Sequence, residues 1–153
     1  MPVMRASGLL GLAALAATCL SGCLEPGDPI YPERDSVRPR VVSTEPGSGE
    51  VLASGAPLRI TFSEAMDVRS LRPGIAVFTG RDEVPLTLTA PEVPELDANV
   101  ERGDVEYTVE AVASEGSPLR PDTQYTLVLR DVLTDSEGNP LGSEVRVVFR
   151  MAP

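Results

Sequence analysis

The sequence predicts an all-β fold, an antiparallel β-sandwich of about seven strands. Three observations predict it. Short segments from Val41 onward alternate apolar and polar residues, which sends one set of side chains inward and the other to water. Gly, Pro, Asn and Asp divide those segments. No long amphipathic helical pattern interrupts them.

The chain opens on a segment of another kind. Arg5 gives a short positive region, and Leu9 to Leu20 is an apolar run broken only by Thr18. The run ends in Leu20-Ser21-Gly22-Cys23. That layout is a secretory signal, with an apolar core short for a transmembrane helix. The tetrad resembles the lipobox of bacterial lipoproteins. The resemblance implies cleavage between Gly22 and Cys23, and a diacylglyceryl group on the Cys23 thiol. The alternative is a free or structural cysteine behind an ordinary signal peptide. An ordinary site wants an Ala-x-Ala-like pattern, which bulky Leu20 spoils. Cys19 leaves with the signal, so Cys23 has no disulfide partner in the mature chain. Lipidation accounts for such an unpaired exported cysteine. Each buried methylene contributes about 0.8 kcal/mol, so two or three acyl chains hold a protein without a spanning helix. The expected partner of this end is therefore a membrane. In enterobacterial lipoproteins an Asp after the cysteine favours inner-membrane retention; Leu24 stands there, which resembles an outer-membrane address.

Residues 1–22 are thus expected to be the signal peptide, 23–39 a lipidated cysteine and tether, and 40–153 the folded domain. The tether holds Pro26, Pro29, Pro32 and Pro39 among charged residues. Such a stretch buries too little to order itself and spans on the order of 50 Å when extended.

The strands follow in order. Val41–Thr44 and Ile75–Phe78 are short candidates. Leu58, Ile60 and Phe62 alternate with Arg59 and Thr61. Val84, Leu86, Leu88 and Ala90 alternate with Pro85, Thr87 and Thr89. Val105, Tyr107, Val109 and Ala111 alternate with Glu106, Thr108 and Glu110. Tyr125, Leu127 and Leu129 alternate with Thr126 and Val128. Val145, Val147 and Phe149 alternate with Arg146 and Val148. This pattern is expected of an Ig-like, Greek-key sandwich. Asp67 is placed to cap one helical turn over Val68 to Leu71. Residues 91–103, acidic and with two prolines, read as a long loop between strands. Arg146 and Arg150 are expected to face outward and meet Glu106 or Glu110. Val128 and Val148 are expected to form a small exposed apolar spot.

Four internal motifs add to this. In Leu119-Arg120-Pro121-Asp122-Thr123-Gln124-Tyr125, the spacing of Pro121 and Tyr125 looks like a tyrosine corner, in which the hydroxyl bonds to backbone upstream. Phe62-Ser63-Glu64-Ala65-Met66-Asp67 and Asp135-Ser136-Glu137-Gly138-Asn139-Pro140-Leu141 flank it, and Thr44-Glu45-Pro46-Gly47-Ser48-Gly49 opens the series. Together these resemble the bacterial Ig-like domains found in S-layer and other surface proteins. There a Pro-x-x-Gly opening, a strand end with Phe62 and Met66, the corner and a Gly-Asn-Pro-Leu turn come in this order. The resemblance spans Pro39 to Phe149 and is weakest over residues 79–104. It implies a structural or protein-binding module, with Tyr125, Pro121, Phe62, Met66, Gly138 and Asn139 in structural roles.

Composition narrows the chemistry. The chain has 153 residues, no His, and 13 basic residues that are all Arg. That removes Ser-His, Cys-His and Ser-Lys pairs, imidazole metal ligands and Schiff bases. No cofactor is expected. A carboxylate pair for glycoside hydrolysis is the remaining catalytic option, and with no Trp and 4% aromatics, sugar-stacking surfaces are scarce. The net charge of −10 opposes nucleic-acid binding. The sequence thus reads as a non-enzymatic, lipid-anchored envelope module with a possible protein partner. The alternative is a calcium- or glycan-binding module using the loops at Asp67, 91–103 and Asp135, with Asp67, Asp135 and Glu137 as calcium candidates. The competing account of Asp135 is turn chemistry, with local amides bound and Gly138-Asn139 at positive φ.

Overall fold

The computed structural model describes residues 36–92 and 105–153. The signal peptide, most of the tether and most of the acidic loop lie outside the described residues. Within them, nine strands form two sheets. The strands are β1 (Val41–Glu45), β2 (Val51–Leu52), β3 (Leu58–Phe62), β4 (Ile75–Thr79), β5 (Asp82–Val84), β6 (Leu86–Thr89), β7 (Tyr107–Ala113), β8 (Gln124–Leu129) and β9 (Val145–Met151). One helix, α1 (Val68–Gly74), joins β3 to β4.

Alternation builds both inner faces. In the first sheet, ordered β1-β3-β7-β6, Phe62 sits opposite Tyr107, Ile60 opposite Val109 and Leu58 opposite Ala111. In the second, ordered β2-β9-β8-β4-β5, Leu127 lies between Val77 and Val147, and Tyr125 opposite Phe149. These inward residues are buried and form one apolar layer between the sheets. The Tyr125 and Phe149 rings stack with centroids 5.7 Å apart, a favourable aromatic geometry. The first sheet has the A-B-E-D order and the second the G-F-C order of an Ig-like sandwich. All pairs are antiparallel except β2–β9, which is parallel.

Nine strands replace about seven for two reasons. Val51–Leu52 is a two-residue edge strand that alternation cannot reveal. The segment Val84 to Ala90, expected as one strand, is two. Val84 pairs with Val77 in the second sheet, whereas Leu86 pairs with Ala113 in the first. The change of sheet falls at Pro85, which has no amide to give a ladder; its carbonyl accepts from Ser114 at 2.9 Å. Val84, Leu86, Leu88 and Ala90 all pack against the same core. The alternation therefore runs through the switch unbroken.

Three further expectations are corrected. Val105 lies outside β7 and is exposed, and the strand continues instead to Ala113. Arg146 and Arg150 do not meet Glu110, because β9 and β7 belong to different sheets. Arg146 pairs with Glu144, and Glu110 pairs with Arg59 at 3.0 Å. Val128 is not exposed: only 3% of its surface is accessible. Arg81, Arg130 and Arg146 line a shallow cavity with it, and arginine stems cover apolar surface of this kind. Val148 sits opposite Thr126, so the two valines are not direct neighbours.

The helix is longer than one turn. Asp67 caps it, accepting from the Arg69 amide at 2.9 Å. Its C-terminal carbonyls, which have no partner inside a helix, are taken by β8's exit. The Arg130 amide donates to Gly74 and its guanidinium to Pro73, both at 2.8 Å. Gly74 is buried against Leu133: a Cβ there would stand 2.4 Å from Leu133 Cγ. Leu133 is itself fully buried, so it has no room to yield. We expect Gly74→Ala to destabilise the domain by about 1–3 kcal/mol, read as a lower urea midpoint. An unchanged midpoint would show that Leu133 moves aside.

Candidate functional site

The sequence candidates converge at one end of the sandwich. There the chain leaving β3 (residues 63–67), the start of α1 and the segment 131–142 meet. Met66 bridges Asp135, and Thr134 bridges Pro140. The Ser136 amide donates to Ala65 at 3.0 Å, and Leu141 to Leu133 at 2.8 Å. Phe62, Met66, Leu133 and Leu141 are buried beneath. The apolar residues hold the segment down, and the polar groups above must then find partners.

Asp135 is the centre of this end, with 1% of its surface accessible. Oδ1 accepts from the Glu137 and Asn139 amides, each at 2.8 Å, and Oδ2 accepts from Asn139 Nδ2 at 2.8 Å. The Asp135 amide donates to the Asn139 carbonyl at 3.0 Å. These bonds wrap residues 135–139 around one carboxylate. Gly138 takes φ of +92°, with no atom near where a Cβ would stand, so conformation selects glycine there. Asn139 does not share the positive φ; its side chain instead completes the bonds to Asp135.

Asp67 is occupied in a different way. Besides capping α1, it pairs with Arg69 at 2.8 Å. The side-chain hydrogen bond from Arg69 holds its carboxyl below the usual carboxylate range. Glu137 is exposed and engaged, and does not join the other two acids. Among the described residues, no group of three or more acidic, His or Cys side chains stands close enough to hold a metal ion. A calcium ion needs six to eight oxygens, and Asp135's are already turned to amides. Asp82 and Glu83 line a cavity beside β5. They are successive, exposed strand residues that point to opposite sides, not a facing carboxylate pair.

Ser70 is the residue that sequence reasoning missed. Its hydroxyl lies 2.8 Å from the Asp67 carbonyl and 3.2 Å from that of Thr134, and accepts the Thr134 amide at 3.1 Å. The Asp67 amide returns to the Thr134 carbonyl at 2.9 Å. One buried hydroxyl thus fastens α1 to the 131–142 segment. The only trace in the sequence is a hydroxyl beside Leu71 in the first turn.

The Tyr125 hydroxyl lies at the opposite end of β8 and accepts from the Arg120 amide at 2.8 Å. Pro121 is exposed, and its carbonyl accepts from Thr123 Oγ1 at 2.9 Å. Tyr107, the other buried tyrosine, donates to the Pro91 carbonyl at 3.2 Å, and burial pushes its pKa up. Both phenols are held as structural groups. Gly22 and Cys23 lie outside the described residues.

Three outcomes follow. Asp135→Ala leaves two amides and the Asn139 side chain without their acceptor, and should cost on the order of 3 kcal/mol, while millimolar calcium should leave the melting temperature of the native chain unchanged. A calcium-dependent rise in calorimetry would contradict the second. Asp67→Ala should cost about 1 kcal/mol as a lost cap. The Asp67 pKa is depressed on folding, so its contribution is present above its ordinary value of 3.8 and is lost as pH falls through the lower folded value. The gap between native and variant stability should therefore narrow below pH 3.8; a gap that widens there would contradict the cap–Arg69 account.

No curated relative matches the chain. The family described as bacterial Ig-like domain matches residues 35–151, both sheets and the 131–142 segment included. The match starts a few residues before the expected domain boundary at 40 and stops two short of 153. With two sheets in the A-B-E-D and G-F-C orders and a family match over most of its length, the chain belongs to the bacterial Ig-like domain family.

Proposed function

We propose that this chain is a non-catalytic, lipid-anchored protein of the cell envelope that presents its Ig-like domain as a structural or protein-interaction module. The observation that carries the module reading is the family match over residues 35–151; domains of this family occur in surface and exported proteins. The anchor reading is supported by Leu20-Ser21-Gly22-Cys23 behind an apolar run. Among the described residues, no helix is long and apolar enough to cross a membrane. Cys23 holds the chain at the membrane, and Leu24 after it fits the outer one. Residues 24–39 space the domain from it.

The non-catalytic reading is supported by chemistry. The chain has no imidazole and no lysine amine. Asp135 and Asp67, two of the acidic candidates, are engaged in structural hydrogen bonds. General acid–base work needs a group free to exchange protons with a substrate.

Cys23→Ser should move the protein from the membrane pellet to the soluble fraction and abolish incorporation of labelled fatty acid. A variant that still sediments with membranes would overturn the anchor.

A further inference from the structure

Along the C-terminal half of β9, even-numbered residues turn their backbone groups towards β2. The Gly49 amide donates to the Val148 carbonyl at 2.7 Å, Arg150 donates to Glu50 at 3.1 Å, and Ala152 donates to Leu52 at 2.9 Å. The pairing then stops, because the register of β2 covers only Arg150 and Met151. Arg146 sits opposite Val128 just as Val148 sits opposite Thr126. By the alternation of an antiparallel pair, Arg146 continues the same outward row of N–H and C=O groups. Among the described residues, no strand occupies that stretch of edge. Across the gap, β1 is likewise an edge strand, paired only with β3.

Between these two edges runs a groove of about 480 Å3. Val41, Leu141, Val145 and Val147 give it an apolar lining, and Arg38 and Arg40 line it as well. Both arginines are exposed, and neither has a carboxylate partner among the described residues. That is unusual company in a chain of net charge −10, where acids outnumber bases 23 to 13.

We propose that this groove binds an extended acidic segment of a partner protein, added as a strand along the free half of the β9 edge. An open backbone row recognises another backbone. The valine and leucine lining takes alternate aliphatic side chains, and the unmatched guanidiniums select carboxylates on the intervening ones. The inference rests on the protein-interaction reading above and names its partner class; the lipid anchor plays no part in it.

The test titrates the full chain with three synthetic octapeptides. One alternates valine and glutamate, one alternates valine and lysine, and the third is the acidic peptide with its four central nitrogens methylated. The acidic peptide should bind at least tenfold more tightly than the lysine peptide and slow amide exchange over residues 143–148, Arg146 included. The methylated peptide, which keeps the charge and loses the ladder, should not bind. The double variant Arg38→Glu/Arg40→Glu changes only exposed side chains and should invert the preference. Equal binding of acidic and basic peptides would overturn the proposal. So would binding without protection of residues 143–148, or no binding at millimolar peptide. Such a failure, with Cys23→Ser still releasing the protein, would remove the groove and leave the anchored module standing.

Discussion

No disulfide joins the two sheets. The chain's two cysteines, Cys19 and Cys23, both precede the domain. In antibody sandwiches a disulfide crosses between strands B and F; here those strands are β3 and β8, and their Ile60, Phe62, Tyr125 and Leu127 belong to one apolar cluster. Cohesion therefore depends on apolar area and close packing, at about 25 cal/mol for each Å2 withdrawn from water. That requirement sets the rest. Alternation must hold on every strand facing the gap, the ends of the layer must be plugged, and each polar group drawn in by the plugging must find a partner.

The two ends are plugged differently. At one, Leu133 presses on Gly74 while Ser70 and Asp135 satisfy the backbone brought down with it. At the other, the Tyr125 ring stacks on Phe149 and its hydroxyl reaches the Arg120 amide. Among the described residues, no buried side-chain nitrogen or oxygen is left without a hydrogen bond. A buried polar network that is fully satisfied gives rigidity and a single arrangement. In it Asp135 Oδ1 takes two amide donors and Oδ2 a third donor, so much of that carboxylate's accepting capacity is spent on the fold.

Much of this was legible in the sequence, for a physical reason. Period-two burial writes itself into β3, β7 and β9 because each has one face in the core and one in water, and it fails in β8 at Val128, which is buried as well. The cap at Asp67 and the amide-binding of Asp135 are local effects, set by residues two to four positions away. What escaped was decided by tertiary placement. Nothing local tells that Pro85 marks a change of sheet, since Val84 and Leu86 keep one parity across it. Nothing local tells that Arg59 rather than Arg146 meets Glu110, since that depends on which sheet receives β9. Ser70 carries no local signal, because its partner, Thr134, is 64 residues away.

The parallel pairing of β2 with the last residues of β9 has a mechanical consequence. Tension applied between residues 36 and 153 loads β1 and its ladder to β3 first, and beyond β1 it pulls β2 and β9 along their length in opposite senses. The bonds at Glu50 and Leu52 are then loaded side by side, in shear, and have to yield together. An antiparallel pair held at one end would open one bond at a time, like a zip. A domain tethered by its N-terminal side and gripped further along the chain would meet that load where β2 and β9 lie abreast, with the stacked interior behind them.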